Sequence, residues 1–136
     1  MELVKMLVIS TAGMKAQRER LQVIAENLAN ASTTATTPGG EPYRRKLISF
    51  ENVFSRALGV ETVRVKGYTT DDSEFGQRND PGHPAADDNG IVLLPNVNPI
   101  IEMADMREAL RSYEANLGVI AASKAMVQRT LELLER

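Results

Sequence analysis

Apolar side chains recur at spacings of three and four residues along the last third of the chain. The series is Met103, Met106, Leu110, Tyr113, Leu117, Ile120, Val127, Leu131 and Leu134. Lys124 occupies one position of the series and is its only charged member. Residues at this spacing lie on one face of an α-helix, and that face needs a partner to cover it. The pattern predicts a long amphipathic helix from about Pro99 to Leu134.

A matching pattern at the other end of the chain supplies a candidate partner helix. Leucine or methionine repeats there every seven residues, with further apolar residues beside the repeat; the set is Leu7, Met14, Leu21 and Leu28, with Leu3 and Ile24. Gly13 lies inside this stretch and costs up to about 1 kcal/mol relative to alanine. The repeat outweighs one glycine and predicts a helix from residue 3 to about residue 30. We expect the two terminal helices to pack as an antiparallel coiled coil.

The C-terminal helix also carries a second apolar face. Val119, Ala122, Met126 and Leu133 are offset by two residues from the first series, which is about 200° around a helix. A weaker version in the N-terminal helix consists of Ile9, Ala12, Ala16 and Val23. Burying one large apolar side chain contributes roughly 1.5–3 kcal/mol, so this face favours association between subunits. The alternative is that small apolar residues merely fill the exposed side of a helix.

Between the helices, the sequence is typical of short strands and loops. Tyr43 to Phe50 and Val60 to Tyr68 are rich in strand-forming residues and predict a hairpin connected by Glu51–Gly59. Ile91 to Leu94 is a third apolar run, which follows a turn dipeptide. Thr69 to Asn89 is polar and acidic and is interpreted as an extended surface loop.

These elements predict a mainly α fold with a small β region. Asn98 offers a helix N-cap, and Pro99 suits the first helical position. We expect an N-terminal helix within 1–31, an irregular middle region with short antiparallel strands over 32–98, and a C-terminal helix within 99–136.

Composition excludes several classes of protein. The net charge is −2, which marks neither a nucleic-acid-binding surface nor a protein attracted to anionic membranes. The absence of cysteine excludes disulfides and thiol nucleophiles. The apolar run from Leu3 to Ile9 is far shorter than the about 20 residues that span a bilayer, and it lacks the features of a secretory signal. We therefore expect no membrane insertion and, for an exported chain, an N-terminus that is not cleaved.

The sequence contains no recognisable catalytic or cofactor motif. His83 is the only histidine and has Asp87 and Asp88 nearby, but this spacing fits no known metal site. No nucleophile motif or phosphate-binding glycine loop is present. The basic run Arg44–Lys46 suits either an acidic partner or a solvated strand face, and we favour the second. We expect no enzyme activity, no metal and no cofactor.

Several segments, in this order and spacing, resemble the flagellar axial proteins, and among them the FlgC type of basal-body rod protein. They include Leu21–Asn30 (LQVIAENLAN) with Asn27 and Asn30, Pro38–Lys46 (PGGEPYRRK), Asp80–Pro84 (DPGHP), Asn89-Gly90, Pro95–Asn98 (PNVN), Glu102–Met106 (EMADM), Ser112–Asn116 (SYEAN) with Asn116, and Lys124–Leu131 (KAMVQRTL). The resemblance covers nearly the whole chain. Each motif alone is weak, but their combination is specific.

The resemblance implies a non-enzymatic subunit of the proximal rod of the flagellar basal body. Its terminal helices would pack as a coiled coil and line the inner tube of a helical polymer that transmits torque. The middle region would lie outside and contact other rod proteins and hook-basal-body components. Export would use the flagellar type III apparatus without cleavage of the N-terminus, and the protein would reside in the periplasmic part of the basal body.

Two other functions remain open on the residues alone. An exported helical-hairpin adaptor or chaperone would share the apolar faces but would bind a partner helix without polymerising. A small hydrolase using His83 and Asp87 is a more distant alternative. The low aromatic content favours the rod subunit, because it suits a chain that orders when it assembles rather than one with a compact catalytic core.

Overall fold

The computed structural model describes residues 2–134 and contains two long helices and four strands. In chain order the elements are α1 (Glu2–Ala29), β1 (Lys46–Ser55), β2 (Val60–Thr70), β3 (Gly76–Asn79), β4 (Ile91–Leu94) and α2 (Pro99–Leu134). The strands form two separate two-stranded sheets, β1 with β2 and β3 with β4. The prediction of a mainly α fold with a small β region is confirmed.

Both helices have clear local causes for their ends. At the start of α2, the backbone N–H of Ile100 donates to the Oδ1 atom of Asn98 at 3.0 Å, so Asn98 is the N-cap that the sequence predicts. Pro99 then occupies a position whose missing N–H would have no helical partner. At the end of α1, the side-chain amide of Asn30 donates to the carbonyl of Glu26 at 2.9 Å and satisfies a terminal acceptor.

The hairpin of β1 and β2 is longer than the sequence patterns indicate. The strands have 10 and 11 residues, and the turn is confined to Arg56–Gly59 instead of the predicted connection 51–59. Gly59 has a φ of 64°, and its N–H donates to the carbonyl of Ser55 at 2.8 Å. The left-handed backbone at this position suits glycine, which lets the strand continue to Ser55 before the chain reverses.

The second sheet corrects part of the predicted loop over Thr69–Asn89. Gly76–Asn79 forms β3 and pairs antiparallel with β4, with Gly76 opposite Leu94 and Asn79 opposite Ile91. β3 has the sequence GQRN and is exposed throughout, so it carries no apolar alternation that could have identified it. β4 lies on the predicted run Ile91–Leu94, and its Val92 is fully buried. The backbone of β3 pairs with that apolar strand.

The chain divides into two compact units. Unit 1 takes the described residues of Met1–Leu21, Ser49–Gly67 and Arg107–Arg136, and unit 2 takes Gln22–Ile48 and Tyr68–Met106. Each unit therefore combines residues from all three predicted segments, 1–31, 32–98 and 99–136. Neither α1 nor α2, over the residues that the structure describes, has the length and apolar character needed to cross a membrane.

Candidate functional site

Asn27 is the centre of a buried polar cluster in unit 2. Its side chain is only 1% exposed. The amide nitrogen donates to the backbone carbonyl of Lys46 at 2.9 Å and to Oε2 of Glu102 at 3.2 Å. The amide oxygen accepts from the backbone N–H of Lys46 and from the Tyr43 hydroxyl, both at 2.9 Å. All the hydrogen-bonding capacity of this amide is used, so its burial leaves no unsatisfied group. Asn27 holds the first residue of β1 as a neighbouring strand would.

Glu102 and Arg45 form the charged part of the same cluster. Glu102, in the first turn of α2, is 1% exposed and accepts a hydrogen bond from Nε of Arg45. The guanidinium of Arg45 also lies 3.5 Å from Oδ2 of Asp71 and 3.7 Å from Oδ2 of Asp105. A buried carboxylate needs such pairing because desolvation otherwise disfavours its charge. The polar cluster, defined as Asn27, Tyr43, Arg45, Asp71, Asn96 and Glu102, thus pairs its buried carboxylate with a cation.

Asp71 and Asn96 complete this cluster from the loops. The Asn96 side chain accepts from the backbone N–H of Arg45 at 2.7 Å and donates to the carbonyl of Asp71 at 2.9 Å. Hydrogen bonds from the backbone and hydroxyl of Ser73, and the nearby Arg45, lower the pKa of the Asp71 carboxyl. Burial alone would lower the pKa of the Arg45 guanidinium, but its contacts with Glu102 and Asp71 raise the pKa instead. Both groups therefore stay charged at neutral pH.

The basic run Arg44–Lys46 does not form the solvated strand face that we predicted. Arg44 donates to the carbonyl of Asp71 at 3.0 Å, and its guanidinium lies 4.2 Å from the centre of the Phe75 ring. Lys46 contacts Glu26 at 2.7 Å, which raises the pKa of the lysine and lowers that of the glutamate. Together with Arg45, these residues bind partners within unit 2. Local strand propensity could not reveal this, because the partners are distant in sequence.

The His83 side chain contacts two loops of unit 2. Its Nδ1 atom accepts from the backbone N–H of Ala85 at 3.0 Å, and its Nε2 atom lies 3.3 Å from the hydroxyl of Thr34. These contacts join the loop before β4 to the threonine-rich loop after α1. Within residues 2–134, no group of three or more histidine, aspartate or glutamate side chains could hold a metal ion.

In unit 1, α1 and α2 approach each other closely at Gly13 and Asn116 and are joined by an ion pair. A Cβ atom on Gly13 would lie 2.9 Å from Nδ2 of Asn116, and Arg20 binds Glu108 at 3.2 Å. Gly13 precedes Arg20 in α1, whereas its partner Asn116 follows Glu108 in α2. The two helices are therefore antiparallel there. Within residues 2–134, the buried residues of this unit are all small; they are Ser10, Ala16, Ala109 and Ser123. Small side chains permit a close helix approach.

The members of the predicted apolar stripe differ in their burial within the single chain. Its members in α1 are half-buried (Leu7, Met14, Leu21 and Leu28) or buried (Ile24). In α2, Met106, Tyr113 and Ile120 are half-buried, whereas Leu110, Leu117, Val127, Leu131 and Leu134 are exposed. The buried positions Ala109 and Ser123 lie one residue before Leu110 and Lys124, with Asn116 midway between them. Coiled-coil packing through the stripe, both within one chain and between subunits, stays a prediction.

The second apolar face is also exposed along α2, whereas in α1 its members Ala16 and Val23 are buried. Val119, Met126 and Leu133 of α2 are exposed, as are Val4, Met6 and Ile9 of α1. We call all the exposed large apolar residues of α1 and α2 in unit 1 the helix surface; they are Val4, Met6, Ile9, Leu110, Leu117, Val119, Met126, Val127, Leu131, Leu133 and Leu134. Exposed apolar surface on this scale is typical of a protein–protein interface.

Comparison with known proteins identifies the family. Residues 7–35 match the family described as "Flagella basal body rod protein", and residues 89–133 match "Flagellar basal body rod FlgEFG protein C-terminal". The two matches contain α1 from Leu7 onward and α2 as far as Leu133. They also contain Asn27, Asn30 and Asn116, the three asparagines assigned to the family motif. That these asparagines matter to the family remains a prediction.

Curated relatives match over nearly the full length. The chain is 50% identical to "Flagellar basal-body rod protein FlgC" of Agrobacterium fabrum, over 93% of this chain and 91% of the relative. It is 39% identical to the proteins of the same description from Bacillus subtilis, over 92% and 93%, and from Salmonella typhimurium, over 98% and 98%. The chain belongs to the FlgC family of flagellar basal-body rod proteins.

Proposed function

We propose that this protein is a structural, non-enzymatic subunit of the flagellar basal-body rod, and that it assembles with other rod components through its terminal helices. The observation that carries the proposal is the helix surface, in a chain whose relatives are described as rod proteins. A row of large apolar side chains left in water favours association, because burying each one contributes roughly 1.5–3 kcal/mol. A rod subunit would bury them against its neighbours.

The opposed apolar faces support contacts on more than one side of α2. Leu117 and Leu131 belong to the first face, while Met126 and Leu133 belong to the second. Two helices that pack only on each other can cover one face each, so the remaining face requires another subunit. We propose that the terminal helices pack as an antiparallel coiled coil in the assembled rod, line its inner tube and transmit torque. The middle region would then contact neighbouring rod proteins on the outside.

The same proposal includes a location and a route. The protein would lie in the periplasmic part of the basal body, where it contacts other rod proteins and hook-basal-body components. It would reach that position through the flagellar type III export apparatus with its N-terminus uncleaved. These statements rest on the family and on the helical termini that the chain shares with it.

Substitutions on the helix surface test the function directly. We expect Leu131→Asp and Leu117→Asp to abolish incorporation into detergent-extracted basal bodies and to abolish motility, since each places a charge in an apolar subunit contact. Gln128→Asp is the matched control, because Gln128 is already exposed and polar on the same helix. The measurement is the amount of protein in purified basal bodies from a strain that expresses only the variant.

The outcomes separate the rod subunit from its alternative. Wild-type protein should co-purify with basal bodies, and Gln128→Asp should behave like it. A wild-type chain that stays outside the basal body, soluble with one partner, would instead identify an adaptor or chaperone. Normal motility with Leu131→Asp would contradict assembly through the helix surface.

A further inference from the structure

The turn that leads into β4 contains the dipeptide Asn89-Gly90. Asn89 is the only asparagine in the sequence that is followed by glycine. Asn89 is exposed to water, whereas Gly90 is buried. Because glycine has no Cβ atom, its backbone nitrogen is less hindered than that of other residues. The side-chain amide of Asn89 therefore lies next to the backbone nitrogen best able to attack it.

Ring closure at this pair needs no reactant except water. The backbone nitrogen of Gly90 attacks Cγ of Asn89, the bond from Cγ to Nδ2 breaks, and the amide leaves as ammonia with the Gly90 N–H proton. Water then opens the cyclic imide, adding its hydroxyl to a carbonyl carbon and returning a proton to the nitrogen. Cleavage at Cγ gives aspartate, and cleavage at the main-chain carbonyl gives isoaspartate.

Asp87 binds the three consecutive backbone N–H groups of this turn, those of Asn89, Gly90 and Ile91. Its Oδ1 atom accepts from the N–H of Asn89 at 2.9 Å and from the N–H of Ile91 at 2.8 Å. Its backbone carbonyl accepts from the N–H of Gly90 at 2.9 Å. The attacking nitrogen therefore uses in a hydrogen bond the proton that it must lose.

Gly90 is also fixed on its other sides. Its carbonyl accepts from the backbone N–H of Asp80 at 2.8 Å. Its φ is 74°, and a Cβ atom added to it would lie 2.8 Å from Cγ of Pro81. An imide nitrogen carries no proton, so ring closure breaks the hydrogen bond to Asp87 and flattens the backbone on either side of that nitrogen. The contacts with Asp80 and Pro81 oppose this change.

We propose that Asn89 is a conditional modification site, which keeps its amide while Asp87 holds the turn closed and becomes aspartate or isoaspartate when the turn opens. The proposal does not rest on the rod function, because it concerns only the chemistry of unit 2. Isoaspartate adds an atom to the backbone just before Ile91, which pairs with Asn79. A single opening of the turn can thus be converted into a lasting change at the start of β4.

Peptide mapping by mass spectrometry tests the proposal on the purified full-length chain. The chain is incubated in mildly alkaline buffer, with and without denaturing guanidinium chloride, and the conversion of Asn89 is followed with time. We expect the amide to be lost at least about tenfold more slowly from the folded chain, because the turn must open before the ring can close.

A pair of variants tests the role of Asp87. Asp87→Ala removes the carboxylate that binds Asn89 and Ile91, and should speed conversion in the folded chain by about tenfold or more, the factor by which a hydrogen bond to a charged group stabilises. Asp88→Ala is the matched control, because it removes an exposed neighbouring carboxylate but none of these hydrogen bonds. Dividing each rate by that of the same variant in guanidinium chloride removes the direct effect of local charge.

Three results would overturn the proposal. They are equal rates in folded and unfolded wild type, an amide that survives in both states, and an Asp87→Ala variant that is as well protected as Asp88→Ala. If Asp87→Ala does not fold, wild type in increasing denaturant decides. Conversion of Asn89 should then rise together with hydrogen exchange at the N–H of Ile91, which Asp87 binds. Conversion that rises while this N–H stays protected would also overturn the proposal.

Discussion

The two compact units bury different kinds of residue. Unit 2 encloses Asn27, Glu102 and Val92, each 1% exposed or less, and its polar groups are paired. Among the residues that the structure describes, unit 1 buries only small side chains, such as Ala16 and Ala109, and leaves about half of its large apolar residues exposed. One unit has an interior of its own, while the other consists mainly of surface. From this difference we expect unit 2 to be stable within the single chain and unit 1 to depend on neighbouring subunits.

Among substitutions in the two units, we expect the largest loss of stability at Glu102. We expect Glu102→Ala to destabilise the isolated protein by about 3 kcal/mol, because it removes the buried carboxylate that binds Arg45 and one of the four hydrogen bonds of Asn27. Chemical denaturation of the purified chain measures this change. Glu108→Ala is the control on the same helix: its carboxylate is exposed and bound to Arg20 in unit 1, so its loss should be worth less than about 1 kcal/mol. Equal losses in the two variants would contradict the difference between the units.

Asn27 provides the next largest effect. Asn27→Ala removes an amide that makes four hydrogen bonds and leaves both backbone groups of Lys46 without this partner. We expect a loss of about 2 kcal/mol in the free energy of unfolding. Asn52→Ala, at an exposed asparagine in β1, should change stability little. If the two variants were equally stable, Asn27 would not organise the cluster.

Two glycines of unit 1 test the close approach of α1 and α2. Gly118 has nothing within 4 Å of an added Cβ atom, so Gly118→Ala should stabilise α2 by about 1 kcal/mol through helix propensity. Gly13→Ala should stabilise less than this, because the new Cβ would lie 2.9 Å from Asn116. Adding Asn116→Ala should restore part of the difference. Thermal unfolding of the four chains measures it, and an equal gain at Gly13 and Gly118 would argue against the close helix approach.

The smallest expected effect is the pH dependence contributed by Asp71. Its pKa is lowered from 3.8 in the folded protein, mainly by hydrogen bonds from Ser73. The stabilisation is therefore complete above the ordinary pKa and is lost as the pH falls through the lowered value. Wild type should lose more stability than Asp71→Asn between about pH 5 and pH 2. Parallel stability curves for the two proteins over this range would show that Asp71 contributes nothing.

Much of the fold could be predicted from local patterns. The helices, the cap at Asn98 and the strand at Ile91–Leu94 were all predictable, because periodicity, capping and turn residues act within a few positions of the chain. The family was also predictable, from motifs spread along the sequence. β3 was not, since its residues take their conformation from pairing with β4 rather than from their own propensity.

Which molecule covers the apolar stripe could not be predicted from the sequence, for a physical reason. Apolar periodicity identifies the face that gains most from burial, but it does not say which molecule covers that face. In the single chain, Gly13 and Asn116 bring the helices together along small residues, and Leu110 and Leu117 remain exposed. The small residues Ala109 and Ser123, seven residues to either side of Asn116, were the available signal. The polar cluster gave no local signal, because Asn27, Arg45 and Glu102 are far apart in sequence.

Hydrogen exchange on the free protein tests the central difference most directly. We predict strong protection of unit 2, at Ile24, Val92 and the β3–β4 pairing, in a chain shown to be monomeric. We predict weak protection of α2 from Leu117 to Leu134 and of the beginning of α1, where burial is slight. Strong protection across both helices of a proven monomer, equal to that of unit 2, would contradict the expected difference between the two units.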